Sequence, residues 1–356
     1  MTDPGWQQHD QLIASTEQIS ELRKLRDRLQ NQIEALLPSM AVEQYYTQLN
    51  GMHDALIKQA IVLSEAEMGR RGKGSPPVPY AYLLFGSGGR AEQTSSSDQD
   101  SGIIYGDLPE LGDQRAVDAY FQELSDLIVQ SLVELGYPPC DGNVISSDDR
   151  WRHSLSGWKA QLDQYFANPE WELVRHLLIV ADGRRVYGSE ELVRQLMDHF
   201  YSDMLRNPII MRRMLDNTVR HKVLLGLFGQ LLTEQYGEEA GSVDIKYGAY
   251  IPMVNAIRMM AVQSRCRATS TLARIAALAE AGVITELEAA IYTSVFRFFL
   301  SLRLMTTELT AEGHYANSGK LATSRLSKPL IEELKAGLRV GKKLQRRVYK
   351  QTISRL

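Results

Sequence analysis

Apolar residues recur at helical spacing through the first 75 residues of the chain. Ile19, Leu22, Leu25, Leu29, Ile33 and Leu36 fall three or four apart, which aligns them on one helix face. A second helical stretch is predicted from Val42 to Met68, with Pro38 as the break between the two. Arg70 to Pro79 (RRGKGSPPVP) carries no apolar period and reads as a linker. The texture then changes. Tyr80 to Phe85 (YAYLLF) is a short aromatic and aliphatic run of the kind that makes a buried strand. Ser101 to Tyr105 predicts a second strand, and Leu177 to Ala181 and Arg185 to Tyr187 predict two more. Phe121, Leu124, Ile128 and Leu132 mark a helix over Val117 to Leu135, closed by Gly136 with Pro138 just beyond. Strands alternating with helices indicate an α/β domain with a mixed sheet over residues 76–200, after a helical segment over 1–75. Over 201–356 the helical patterns cover Met211 to Tyr236, Pro252 to Ala281, Thr285 to Leu309 and Leu330 to Arg355, with no strand from Asp203 onward, so an all-helical bundle is expected.

Composition narrows the partners. The 356 residues are 44% apolar and 23% charged, an ordinary globular balance, and the net charge of -3 argues against a general nucleic-acid binder. The basic run from Lys335 to Arg355 reads as the solvated face of a terminal helix. Cys140 and Cys266 lie far apart and form neither metal-ligand spacing nor a disulfide framework. No basic segment followed by an apolar stretch opens the chain, and no apolar run is long enough to cross a bilayer. The cytoplasm is the expected compartment, without membrane or nucleic-acid partners.

The chemistry is concentrated between Leu84 and Tyr105 (LFGSGGRAEQTSSSDQDSGIIY). A strand ends on Gly86-Ser87, and a polar stretch leads to Asp98-x-Asp100 and a second strand. A Gly-Ser turn lets backbone N–H groups approach triphosphate oxygens closely, and the Ser87 hydroxyl adds a hydrogen bond. Asp98 and Asp100, two apart on a strand, point to one face and make a hard-oxygen site suited to Mg²⁺ or Mn²⁺. Such ions polarise an α-phosphate and steady the attacking and leaving oxygens. Gly86-x-Gly88-x-x-Ala91 also matches the dinucleotide-binding fingerprint, but that motif needs a helix with an apolar face, and residues 90–100 offer only Ala91.

GSGGRAEQTSSSDQD resembles the GS-x-x-R-x-E-Q…D-x-D signature of a bacterial nucleotidyltransferase-like signal-transduction family, often fused to CBS or cyclic-nucleotide-binding modules. That family is related to PII-protein uridylyltransferase and glutamine-synthetase adenylyltransferase. Gly136 to Trp158, Asp244 to Ala261 and Arg274 to Ala289 resemble further segments of it, with Gly248-Ala249 where a Gly-Gly pair is usual. No CBS or cyclic-nucleotide module is read here; a helical segment precedes the signature instead. The resemblance implies a nucleotidyltransferase domain over 76–200 and a substrate-binding-like helical domain over 201–356, with the active cleft between them. It implies that Gly86 and Ser87 hold the triphosphate of ATP or UTP, and that Asp98 and Asp100 hold metal. Arg90 falls on a signature position and meets phosphate, or pairs with Glu92 in a plain salt bridge. Asp182 is the candidate third carboxylate, as metal ligand or proton acceptor, although Asp182-Gly183 also suits a hairpin turn. Lys246 is the candidate cation for the nucleotide, with Asp244 nearby. Arg150, Trp151, Arg152 and His153 are candidates to line the pocket, His153 equally as a structural histidine. Met253, Met259 and Met260 read as core. The expected reaction is transfer of a nucleoside monophosphate to an acceptor, a protein side chain by resemblance. The alternative is a non-catalytic nucleotide-sensing module on the same fold.

Overall fold

Three helices open the protein in the computed structural model: α1 (Pro4–Ala14), α2 (Ile19–Leu36) and α3 (Val42–Arg70). The residues described are 4–354 apart from 109–111, 205–207, 221–222, 227–228, 238 and 311–314. The predicted stripe is the buried one, since Leu22, Leu25, Leu29 and Ile33 of α2 face inward. α2 and α3 pack on each other and on α5 (Gln114–Glu134), whose Phe121, Leu124, Ile128 and Leu132 are also buried. Asp113 caps α5, its side chain accepting from Ala116 N at 3.2 Å.

The sheet is built around β1 (Tyr80–Leu84). β2 (Ser101–Tyr105) and β4 (Arg184–Gly188) flank it antiparallel, and β3 (Arg152–Ser154) runs parallel to β2 at the edge. Every residue of β1 and β2 is buried, as an unbroken apolar run requires of a strand covered on both faces. Tyr80 and Tyr105 pair across the ladder, and Phe121 of α5 packs on both rings, at 5.4 and 4.4 Å between centroids. β1 leads into a single turn, α4 (Gly86–Gly89); α6 (Leu155–Ala167) follows β3, and α8 (Glu190–Met204) follows β4.

The strand expected over Leu177 to Ala181 is instead the end of a helix, α7 (Trp171–Val180). Val174, Leu177 and Leu178 are buried on it; a five-residue apolar run has no period of its own, and the residues before it decide. The three-residue β3 lies in a segment that showed no alternation.

The chain folds into two compact units. One comprises Met1–Gln93, Ser97–Gln164 and Asp182–Ser202; the other Thr94–Ser96, Tyr165–Ala181 and Asp203–Leu356. The second unit centres on α10 (Ile251–Gln263), buried at every residue from Pro252 to Val262, including Met253, Met259 and Met260. α9 (Pro208–Thr218), α11 (Thr271–Glu280) and α13 (Lys328–Ile353) pack around it, and α12 (Glu286–Met305) packs on α11 and α13. Helix boundaries differ from expectation. The pattern over Met211 to Tyr236 is helical only as far as Thr218, and that over Pro252 to Ala281 breaks between Gln263 and Thr271. Arg355, expected to end the last helix, lies outside the described residues. Two short ladders also join this unit, β5 (Ser242–Asp244) with β8 (Lys320–Ala322), and β6 (Thr307–Leu309) with β7 (Tyr315–Asn317). Three-residue strands are too short to display a period of two, which is why the pattern reads as helical throughout. Two buried arginines close the end of α7: Arg258 donates to Leu178 O at 3.2 Å, and Arg274 to Ala181 O at 2.7 Å. Among the described residues no helix is long and apolar enough to cross a membrane.

Candidate active site

The pairing of β1 with β2 continues one step past both strands, where Phe85 N donates to Asp100 O at 2.9 Å. That hydrogen bond brings the two ends of the polar stretch together. Gly86, next in the chain, takes a φ of +51°, a left-handed conformation that favours glycine. A Cβ on Gly86 would also fall on the Asp100 carboxylate. The turn and the second aspartate are thus in direct contact. Gly89 closes the same turn with equal tightness, because a Cβ there would collide with the Asp182 backbone oxygen and lie 2.8 Å from Leu84 O.

Gln99 anchors the stretch between the aspartates. Its N donates to Pro138 O at 2.8 Å, and its Nε2 to Tyr137 O at 2.7 Å and Val129 O at 3.2 Å. Gln99 is buried, Asp98 is exposed and Asp100 is half-buried. Exposure thus alternates along the three residues, with Gln99 the anchored one. They stand just before β2 and not within it. Gly88, Asp98 and Asp100 line one small cavity with Tyr82 and Gln93. The Cys140 thiol adjoins the pair: burial, and after it the negative charge of Asp100, pushes its pKa up to about 12.

Arg90 is buried in an ion triad. Its Nε donates to Glu92 Oε2 at 2.8 Å and its Nη1 to Asp182 Oδ2 at 2.6 Å. Ala91 makes the first contact possible by adopting a φ of +54°; an alanine there costs about 1–2 kcal/mol. Asp182 is wholly buried, in the turn between α7 and β4 and not in a β-hairpin. It faces a guanidinium. Among the described residues no group of three or more carboxylates, histidines or cysteines is placed to hold a metal ion.

A second arginine braces the turn. Arg184 donates through Nε and Nη2 to Gly88 O, at 3.2 and 2.8 Å, and forms a two-pronged ion pair with Asp54 of α3, at 2.6 and 2.9 Å. Nothing in the sequence pointed to this pair. The only local hint was an arginine directly after Asp182-Gly183.

The segment Arg150 to His153 is mostly scaffolding. Arg150 pairs with Asp148, Arg152 reaches Ser125, Ser146 O, Ser147 O, Gln122 and Asp149, and Trp151 is buried against Phe85 and Trp158. His153 stands edge-on to Trp158, and burial, then the charge of Arg152, lowers its pKa. In the second unit, Lys246 opens a π-helical turn (Lys246–Tyr250) with its Nζ 5.2 Å from the Tyr247 ring centroid. Asp244 accepts from Tyr247 N at 2.7 Å.

Comparison with known families places these features in context. Residues 26–172 match the family model described as "Putative nucleotidyltransferase DUF294", and residues 208–352 match DUF294_C, described as "Putative nucleotidyltransferase substrate binding domain". No curated protein matches the chain. The two models follow one another along most of the sequence, and the chain is accordingly a member of the DUF294 nucleotidyltransferase-like family.

Proposed function

We propose that the protein transfers a nucleoside monophosphate from ATP or UTP to an acceptor, in the manner of the protein uridylyl- and adenylyltransferases, and releases pyrophosphate. The observation that carries this reading is the contact of Asp100 with Gly86, which sets a carboxylate where a side chain on that left-handed residue would stand. In this reading the turn amides and Ser87 bind the β- and γ-phosphates. Asp98 and Asp100 fit Mg²⁺ or Mn²⁺, because such ions are commonly held by one or two carboxylates together with substrate phosphates. When bound, the ion offsets the charge of the triphosphate and polarises its α-phosphorus. An acceptor oxygen forms the new bond to that phosphorus as the bond to the β-phosphate oxygen breaks. Arg90 and Arg184 act by holding the turn, and Asp182 acts through Arg90. In this reading the second unit takes up the acceptor, proposed to be a protein side chain; the description of the family model matched over 208–352 as a putative substrate-binding domain supports it.

The burial of Asp182 against Arg90 favours a second reading, a nucleotide sensor without turnover, because it leaves two carboxylates at the turn. Labelled ATP and UTP, with Mg²⁺ or Mn²⁺ and cell lysate, separate the two. Pyrophosphate release with a labelled product, absent from Asp98→Asn and Asp100→Asn, supports transfer. Metal-dependent binding without release supports the sensor, and NTP affinity indifferent to a chelator would refute both.

A further inference from the structure

Among the described residues of the second unit three arginines are buried: Arg258, Arg274 and Arg303. The first two have clear partners. Arg258 donates to Leu178 O and Asn255 Oδ1, and Arg274 to Ala181 O and Ala268 O. Arg303 differs. It is 6% exposed, its Nε is sealed from solvent, and its guanidinium makes no hydrogen bond or ion pair among the described residues. Its one contact of note is with an aromatic face, the Cζ standing 4.4 Å from the Tyr250 ring centroid.

The surroundings hold the charge without neutralising it. Tyr250 is fully buried and stacks on Phe296 at 5.6 Å, two turns before Arg303 on α12. Ring and guanidinium are therefore fixed along one helix face. The polar groups next along the chain satisfy one another: Thr306 Oγ1 donates to Arg303 O at 2.7 Å and lies 2.9 Å from Asn317 Oδ1, which also accepts from Gly319 N at 2.8 Å. Tyr250 ends the π-helical turn, an irregularity often found at functional sites. A cation–π contact offsets only part of the cost of burying a guanidinium, and the usual resolution is an oxyanion accepting its paired N–H groups.

We propose that Arg303 is an anion receptor, and that it binds the phosphate or carboxylate group of an acidic acceptor while Tyr250 covers its other face. The anion site stands on Arg303 itself; its assignment to the acceptor rests on the transfer reading. The test uses the full-length protein in a chelator at constant ionic strength, titrated with inorganic phosphate or acetate and followed by calorimetry and thermal unfolding. One of the two anions is expected to bind and raise Tm, phosphate alone marking a phosphate group and acetate alone a carboxylate. Arg303→Met should weaken that binding by roughly tenfold to a hundredfold, the range for hydrogen bonds to charged groups. In anion-free buffer the same variant should unfold at the parent's Tm or above, because it removes a buried charge that no carboxylate among the described residues pairs with. Asp98→Asn should keep the response, so a failure of the transfer reading would leave this result standing. Binding of neither anion, unchanged binding in Arg303→Met, or a lower anion-free Tm in that variant would each overturn the proposal.

Discussion

Gly86 answers two constraints at once, a left-handed φ of +51° and a neighbouring carboxylate in the space of its missing side chain. Gly86→Ala is expected to cost about 1–2 kcal/mol in backbone strain and to displace Asp100 as well. Thermal unfolding reads the first effect and metal-dependent NTP titration the second; loss of stability with NTP affinity intact would separate Gly86 from the site. Ser87 has no such constraint. Ser87→Ala should leave Tm nearly unchanged and weaken NTP binding by roughly 1.5–3 kcal/mol, as for a hydrogen bond to a charged group. An unchanged Kd would remove the hydroxyl from the phosphate-binding role. These residues were visible in the sequence because the chemistry sits in one contiguous stretch, each part flanked by an apolar run. Asp54 and Arg184 were not visible, since a partnership across a separation of 130 residues leaves no local pattern.

At the scale of elements, the start of α12 is held by a capping box in which Thr285 and Glu288 satisfy each other's backbone N–H groups, with Arg347 of α13 paired to Glu288. The hydrogen bond from Arg347, followed by that from Thr285 N, holds the Glu288 carboxyl below its ordinary range. A depressed folded-state pKa gives stability that is present above the unfolded value and is lost as pH falls through the folded one. Glu288→Gln should therefore cost about 0.5–1 kcal/mol at neutral pH, the low end because the pair is part-exposed. Its unfolding midpoint should begin to converge with the parent's as pH falls past the ordinary glutamate value, about 4.3, and meet it only below the depressed value of the folded state; a pH-independent difference would count against the charge. Elements long enough for their period to repeat, such as α2 and α5, were legible. Leu177 to Ala181 was not, because an apolar run of strand length inside a longer helix carries no signal of its own.

For the whole molecule, the two compact units interleave along the chain: Tyr165–Ala181 groups with the helices that follow Asp203. Residues 203–356 made alone would lack α7, leaving Arg258 and Arg274 without the carbonyls they close. That fragment is expected to lose cooperative unfolding, and addition of residues 165–181 as a separate peptide should restore part of it. A sharp, peptide-independent transition in the fragment would contradict the interleaving. The same arrangement bears on how the protein is made. A ribosome delivers α7 before α9, α10 and α11, and Arg274 emerges about ninety residues after Ala181; at about 5–20 residues per second that is a wait of roughly 5–20 seconds. Until α9 emerges to pack on it, α7 presents Val174, Leu177 and Leu178 as an apolar stripe without its cover, and its end stays open until Arg274 arrives, an interval in which a chaperone has an apolar surface to hold.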